Sequence, residues 1–200
     1  GSSLYALEDV ADVVIRNRAA AIGNPLAPYG GTVAGEDVLG GRPIATPVTD
    51  TMVARHSDAA VVIVLGTDEI AKATAKKPVY VSGTGWGSAN SIIERRDHAF
   101  SEGTAIAAKM ALEEAGVENP ADDFDVFYLS DLYAHCQLMH MGALGLSDEQ
   151  LPVINPDGGS LGMGDLIEAN SGARFYDAVK QLRGDAGGHQ VDGAAHALVH

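Results

Sequence analysis

From residue 59 onward the chain alternates short apolar runs with stretches of helical periodicity. Ala60 to Leu65 reads Ala-Val-Val-Ile-Val-Leu, and because it does not alternate with polar residues it predicts a strand buried on both faces. A short helix is expected over 68–74, and a second strand over Val79 to Ser82. Gly83, Gly85 and Gly87 then surround the only tryptophan, Trp86, which either packs locally or lines a pocket mouth. Residues 101–114 predict a helix ended by Gly116, with Ala105, Ala108, Ala111 and Ala115 forming a small-residue stripe suited to close packing on a sheet. A third strand over Phe124 to Leu129, a helix over 132–144, a short strand over 153–155, a helix over 166–182 and a strand beginning at Ala197 complete the series. Within the 166–182 helix, Phe175, Ala178, Val179 and Leu182 mark the expected buried face, with Tyr176 beside it and Arg174 further out. Strands alternating with helices define an α/β class with parallel pairing.

The first 58 residues differ. Leu7 to Ala21 has helical spacing of Val10, Val13, Val14 and Ala21, and Glu8 and Asp9 suit its N-terminal dipole. Thereafter Gly and Pro punctuate the chain up to Asp58, predicting a long loop region with no other regular element. The expected division is therefore 1–58, a helix with a long loop, and 59–200, an α/β unit. The chain lacks an initiator methionine and ends inside an apolar run, so it reads as an internal piece of a longer protein.

A formal net charge of -14 disfavours a phosphate-backbone partner. No apolar run reaches membrane-spanning length. A single cysteine, Cys136, leaves no disulfide framework and no zinc cluster, which fits a reducing, cytoplasmic compartment. His135 and His140 are not at the i, i+4 spacing of a helical zinc pair, so no metal is expected. Cys136, inside a helix, reads as a small buried hydrophobe before it reads as a nucleophile.

Two stretches carry candidate chemistry. From Ile154 to Asp165 the chain makes a turn rich in glycine, Gly158, Gly159, Gly162 and Gly164, and Asp165 stands at the expected N-cap of the following helix. This is either a ligand-approach loop or a tight strand-to-helix connection. The other stretch is the end of the third strand, Tyr128-Leu129-Ser130-Asp131-Leu132-Tyr133, where ligands bind in open α/β sheets. Strand parity puts Phe124, Val126, Tyr128 and Ser130 on one face.

Asn155-Pro156-Asp157-Gly158-Gly159, followed after a gap by Gln181-Leu182-Arg183-Gly184-Asp185-Ala186-Gly187, resembles the final part of the thiolase superfamily, in its sterol-carrier-protein branch. Ser57 to Val62 and Asp125 to Leu146 extend the resemblance over most of the chain. It implies the second βαβαβαββ half of a thiolase fold, lacking the first half and the last strand. Departures from the family pattern are specific. The His-Asp pair after the third strand reads Ser130-Asp131, and Gly-His-Pro reads Gly164-Asp165-Leu166. With both imidazoles replaced, the resemblance points to thiolase-like aldolases that cleave steroid side chains from a β-hydroxyacyl-CoA, act as dimers and work with a small OB-fold partner protein. Coenzyme A is then part of the substrate and no other cofactor is implied. Gly158, Gly159 and Gly164 become its expected contacts. Retro-aldol cleavage needs a base, an acid and donors to an enolate. Tyr128 and Tyr176 are the leading acid and base candidates, Tyr133 the third, and Ser130 and Asp165 take donor or orienting roles. A thiolase with unusual residues and a non-catalytic thiolase-like subunit are the alternatives.

Overall fold

The computed structural model describes residues 5–200. Helix α1 spans Leu7–Ala20, and its Val10, Ala11, Val13 and Val14 are buried. They form one core cluster with Val38, Met52, Ala134 and Leu161, so the first 58 residues share a core with the rest of the chain. The loop region is more ordered than its Gly and Pro content predicts. It contains helix α2 (Gly35–Leu39) and a hairpin of β1 (Pro43–Ala45) and β2 (Val48–Thr49). Thr49 and Thr51 hydroxyls both donate to the Val38 carbonyl, which ties hairpin to helix.

Helices α3 (Asp68–Thr74), α4 (Glu102–Ala115) and α5 (Pro120–Asp123) precede β3 (Val126–Tyr128). Helix α6 (Ala134–Leu144), α7 (Gly159–Met163), α8 (Asn170–Arg183) and β4 (Ala197–Val199) follow. Strands β3 and β4 are parallel, with Val126, Phe127 and Tyr128 opposite Ala197, Leu198 and Val199. Strand parity holds within β3: Phe127 and Leu129 pack with Met141 and Leu144 of α6, while Val126 and Tyr128 pack with Ala178 of α8. Phe124, expected beside Val126, instead packs edge-on against Phe127, because it lies before the strand begins and parity does not reach it. The sheet thus lies between α6 and α8, and both loops of interest leave it at one end.

Three expectations need correction. Ala60 to Leu65 and Val79 to Ser82 are not strands: they pair with no neighbour, and Val62 and Val64 are 85% and 89% exposed. Apolar content alone does not make a strand, because each edge needs a partner to take its N–H and C=O groups, and among the described residues the strand pairs are β1 with β2 and β3 with β4. The expected strand at 153–155 shrinks to one bridge, Ile154 to Phe127. Helix α8 begins at Asn170 rather than near Leu166, because Ile167 has φ +54 and breaks the helical path.

Of the small-residue stripe, Ala108 packs against the Phe127 and Leu129 cluster, while Ala111 belongs to a neighbouring ridge that meets the glycine segment. A Cβ at Gly83, Gly85 or Gly87 would overlap the carbonyls of Ala111, Ala107 and Gly103, so alternate glycines ride along one ridge of α4.

Candidate functional site

A buried polar framework holds the two loops together. Asp131, fully buried, accepts from the backbone N–H of Ser160 at 2.7 Å and of Leu161 at 3.0 Å, and from Asn17 Nδ2 at 2.9 Å. Asn17 Nδ2 and Asn155 Nδ2 both donate to Gln137 Oε1. Asn155 also takes the N–H of Leu129 at 2.9 Å and donates to its carbonyl at 3.0 Å, so a side chain continues the ladder where the strand stops. Its own φ of +48 then turns the chain into the glycine loop.

The glycines are needed for the protein's own close contacts. Gly159, at φ +56, lies so near the Asp131 carboxylate that a Cβ would overlap it. A Cβ at Gly158 would overlap Ala21, and at Gly164, φ +106, it would meet the Arg55 carbonyl and Tyr29.

Residues 53–57 cross the loop ends. Ala54 N–H donates to the Leu132 carbonyl, Asp165 N–H to the Arg55 carbonyl at 2.6 Å, and Ser57 N–H to the Asp165 carbonyl. The Asp165 carboxylate accepts from Asn170 Nδ2 at 2.8 Å and Ile167 N–H at 2.9 Å, and these donors hold it below the usual carboxylate range. Its cap therefore serves the turn at Ile167, not the first turn of α8. His56 Nδ1 lies 3.9 Å from the same carboxylate. The Tyr29 hydroxyl donates to the His56 carbonyl, and the Arg55 guanidinium sits 5.5 Å from the Tyr29 ring centre.

Arg174 is where the helical pattern misleads. It is 3% exposed, not on the outer flank. The buried face of α8 is polar, made of Arg174, Asp177, Ala178 and Gln181, whereas Phe175, Val179 and Leu182 line a groove of about 760 Å³ bordered by α4 and the glycine segment with Trp86. Arg174 donates through Nη2 to Ser160 Oγ at 3.0 Å and Ser130 Oγ at 3.4 Å, and through Nη1 to the His200 carbonyl at 3.2 Å. Burial lowers its pKa, opposed by the fields of Asp131, Asp157 and Asp165.

The tyrosines separate. Tyr128 is fully buried, and its hydroxyl donates to Asp177 Oδ2 at 3.3 Å, an oxygen that His189 Nε2 also meets at 3.1 Å. Burial, then Asp177 and Asp157, push the phenol far above its ordinary value. Tyr128 thus shares a strand face with Ser130 but sits in the core, an environment that disfavours its ionised form. Tyr133 and Tyr176 are both exposed, Tyr133 at the start of α6 beside His135 and Tyr176 on the outward side of α8. Cys136 is partly buried on α6, and burial raises its thiol. Among the described residues no group of three His, Cys, Asp or Glu side chains is placed to hold a metal ion, and no helix is long and apolar enough to cross a membrane.

Ser130 and Asp131, the glycine loop and the 53–57 segment thus meet at one end of β3, as in the thiolase-like class of α/β proteins. The chain belongs to the family described as thiolase C-terminal domain-like, whose model matches residues 85–200. It is 29% identical over 201 residues to benzoylsuccinyl-CoA thiolase subunit BbsB of Thauera aromatica, covering 92% of this chain and 52% of that protein. It is 27% identical over 221 residues to sterol carrier protein 2 of Oryctolagus cuniculus, covering 97% and 39%. Among solved structures it superposes on the Ltp2-ChsH2(DUF35) aldolase with a TM-score of 0.83 at 18% identity, covering 98% of this chain and 56% of that one. The chain therefore spans about half the length, or less, of the curated relatives it matches.

Tyr29, Arg55, His56 and the buried role of Arg174 escape sequence reading. The first three lie in a stretch with no periodicity, and Arg174 falls beside the apolar stripe that the helical count takes for the buried face.

Proposed function

We propose that the full-length protein is a thiolase-like carbon–carbon lyase of aldolase type, acting on a β-hydroxyacyl-CoA as a dimer with an OB-fold accessory protein. The observation that carries this reading is the pair Ser130 and Asp165. They stand at the two positions where the family resemblance places imidazoles, and each accepts from a donor on α8, Arg174 for Ser130 and Asn170 for Asp165. A hydroxyl and a low-pKa carboxylate are poor activators of a cysteine thiol. They suit a reaction that needs donors and orientation instead of a thiolate.

In retro-aldol cleavage a base removes the β-hydroxyl proton and the bond between the α- and β-carbons breaks. The β-carbon becomes a ketone, and the electron pair passes to the thioester enolate. An acid then protonates the α-carbon to give a shorter acyl-CoA, and no free coenzyme A is consumed. Ser130 is the donor to the thioester oxygen, and Asp165 orients the adjoining loop. Tyr133 and Tyr176 are exposed phenols for proton transfer; Tyr29, part-buried nearby, donates its proton to the His56 carbonyl. Gly158, Gly159 and Gly164 shape the loop beside the CoA ester. The name of the structural neighbour, an aldolase paired with a DUF35 protein, agrees with both the reaction and a partner subunit, and a steroid side chain is the acyl group we favour.

The test is to incubate the full-length protein and its partner with a β-hydroxyacyl-CoA bearing a tertiary alcohol, without free CoA. Ketone and shortened acyl-CoA are expected. One observation favours a second reading, thiolysis: His56 puts an imidazole 3.9 Å from Asp165. In that case the ketone is absent, a β-ketoacyl-CoA turns over once free CoA is added, and mass spectrometry finds an acylated cysteine.

A further inference from the structure

We propose that Arg174 is a positioning residue that makes Ser130 the principal hydrogen-bond donor to the thioester oxygen, a role that rests on the acyl-CoA reading above.

A serine hydroxyl has one proton and two lone pairs. Arg174 Nη2 fills a lone pair of Ser130 Oγ at 3.4 Å, and the Ser130 proton has no acceptor among the described residues. Ser130 is only partly buried, so this proton is free to face a ligand beyond the strand end. The hydroxyl of Ser160 is engaged by the same guanidinium at 3.0 Å, but that serine is 2% exposed and works as a brace.

The guanidinium charge is not spent elsewhere. Among the described residues no carboxylate lies within ion-pair distance of Arg174. Asp131 is occupied by two backbone N–H groups and Asn17. Asp165 is occupied by Asn170 and Ile167, and Asp157 Oδ1 accepts from Gly159 N–H. On the other side stand two imidazoles, His140 and His200, whose ring centres are 4.0 Å apart and which share the Thr104 hydroxyl at 2.9 Å each. Burial lowers both, His140 to about 3, so they add no positive charge of their own at neutral pH. A buried cation behind a hydroxyl strengthens that hydroxyl most when the acceptor is an anion, because the enolate oxygen gains charge that the ground-state carbonyl lacks. Arg174 therefore acts on the transition state through Ser130 without touching substrate.

The experiment uses the full-length protein with its partner and compares wild type, Ser130→Ala, Arg174→Gln, Arg174→Lys and the Ser130→Ala/Arg174→Gln double variant. Loss of one such donor costs roughly 100- to 1,000-fold in kcat. Ser130→Ala and Arg174→Gln are each expected to lower kcat by about 100-fold with little change in KM, and the double variant by no more than the worse single, since the two act as a unit. Arg174→Lys, which keeps the charge, recovers part of the loss. A nitroalkyl-CoA, whose nitronate anion mimics a thioester enolate, provides a readout independent of turnover. Its affinity should fall in both single variants without further loss in the double, while a saturated acyl-CoA binds unchanged. Additive losses, equal weakening of both ligands in Arg174→Gln, or full activity in that variant would overturn the role. If Arg174→Gln does not fold, nitronate affinity decides through Arg174→Lys: retained affinity that Ser130→Ala abolishes supports the pair, and affinity indifferent to Ser130→Ala rejects it. Should wild type cleave neither substrate class, the activity reading fails, and nitronate binding still judges the Arg174–Ser130 pair by itself.

Discussion

Replacing Asp157 by asparagine is expected to stabilise the protein most at alkaline pH and considerably less at pH 5. Asp157 is fully buried, with Oδ1 accepting from Gly159 N–H at 3.1 Å and Oδ2 without a partner. Burial, with the neighbouring Asp177 charge, pushes its pKa up to about 7. An unfolded aspartate titrates near 3.9. Between those values the folded state holds a proton that the unfolded state has released, so stability falls as pH rises from about 4 to about 7, and the full cost is present above that. A gap of about three units at 1.36 kcal/mol each sets an upper bound near 4 kcal/mol. Asparagine keeps the Oδ1 acceptor and carries no charge, so a gain of about 2–4 kcal/mol at pH 8 is expected, against at most about 1.5 kcal/mol at pH 5, about one unit above the unfolded pKa. His189 also contributes: its bond to Asp177 raises its pKa, giving stability that is full below about 6.5 and lost as pH rises through the folded value. The variant should therefore keep a shallow decline in that range. Urea midpoints of wild type and Asp157→Asn from pH 5 to 8.5 measure both slopes. Parallel curves, or a less stable variant at pH 8, would refute a buried carboxylate held against its charge.

Tyr128→Phe should cost about 1 kcal/mol for one buried hydrogen bond, visible as a lowered thermal midpoint, and leave kcat within a fewfold of wild type; a loss of 100-fold or more would restore Tyr128 as a reacting group. Gly159→Ala must displace the Asp131 carboxylate at φ +56, and a loss of roughly 2–4 kcal/mol in urea unfolding is expected. Gly85→Ala should lift the glycine segment from α4, since its Cβ would overlap the Ala107 carbonyl, and shift the emission of Trp86, the single tryptophan.

Much of the site was legible in the residues before any coordinates. Asn155 to Gly159 announced a turn and Ser130 a strand end, because glycine and strand parity impose local geometry wherever they occur. Parity correctly paired Tyr128 with Ser130. It could not tell that one is sealed against Asp177 while the other is open, since depth along a face depends on what α8 places over it. The apolar runs at 60–65 and 79–82 were legible as strand material, yet pairing is a property of two chains of backbone and no single run contains it. Periodicity likewise found α8 but chose its apolar stripe as the buried face. The helix instead turns Arg174, Asp177 and Gln181 inward, because buried hydroxyls, a histidine and backbone carbonyls from distant loops are there to satisfy them. The sequence by itself therefore determined helices α1, α3, α4, α6 and α8, strand β3 and the glycine turn, which follow from local conformational rules. Only the tertiary structure decided which polar groups are buried and partnered, and so which tyrosine is sealed in the core and which arginine stands behind Ser130, because burial and hydrogen bonding join residues such as Asn17 and Asp131 that are far apart in the chain.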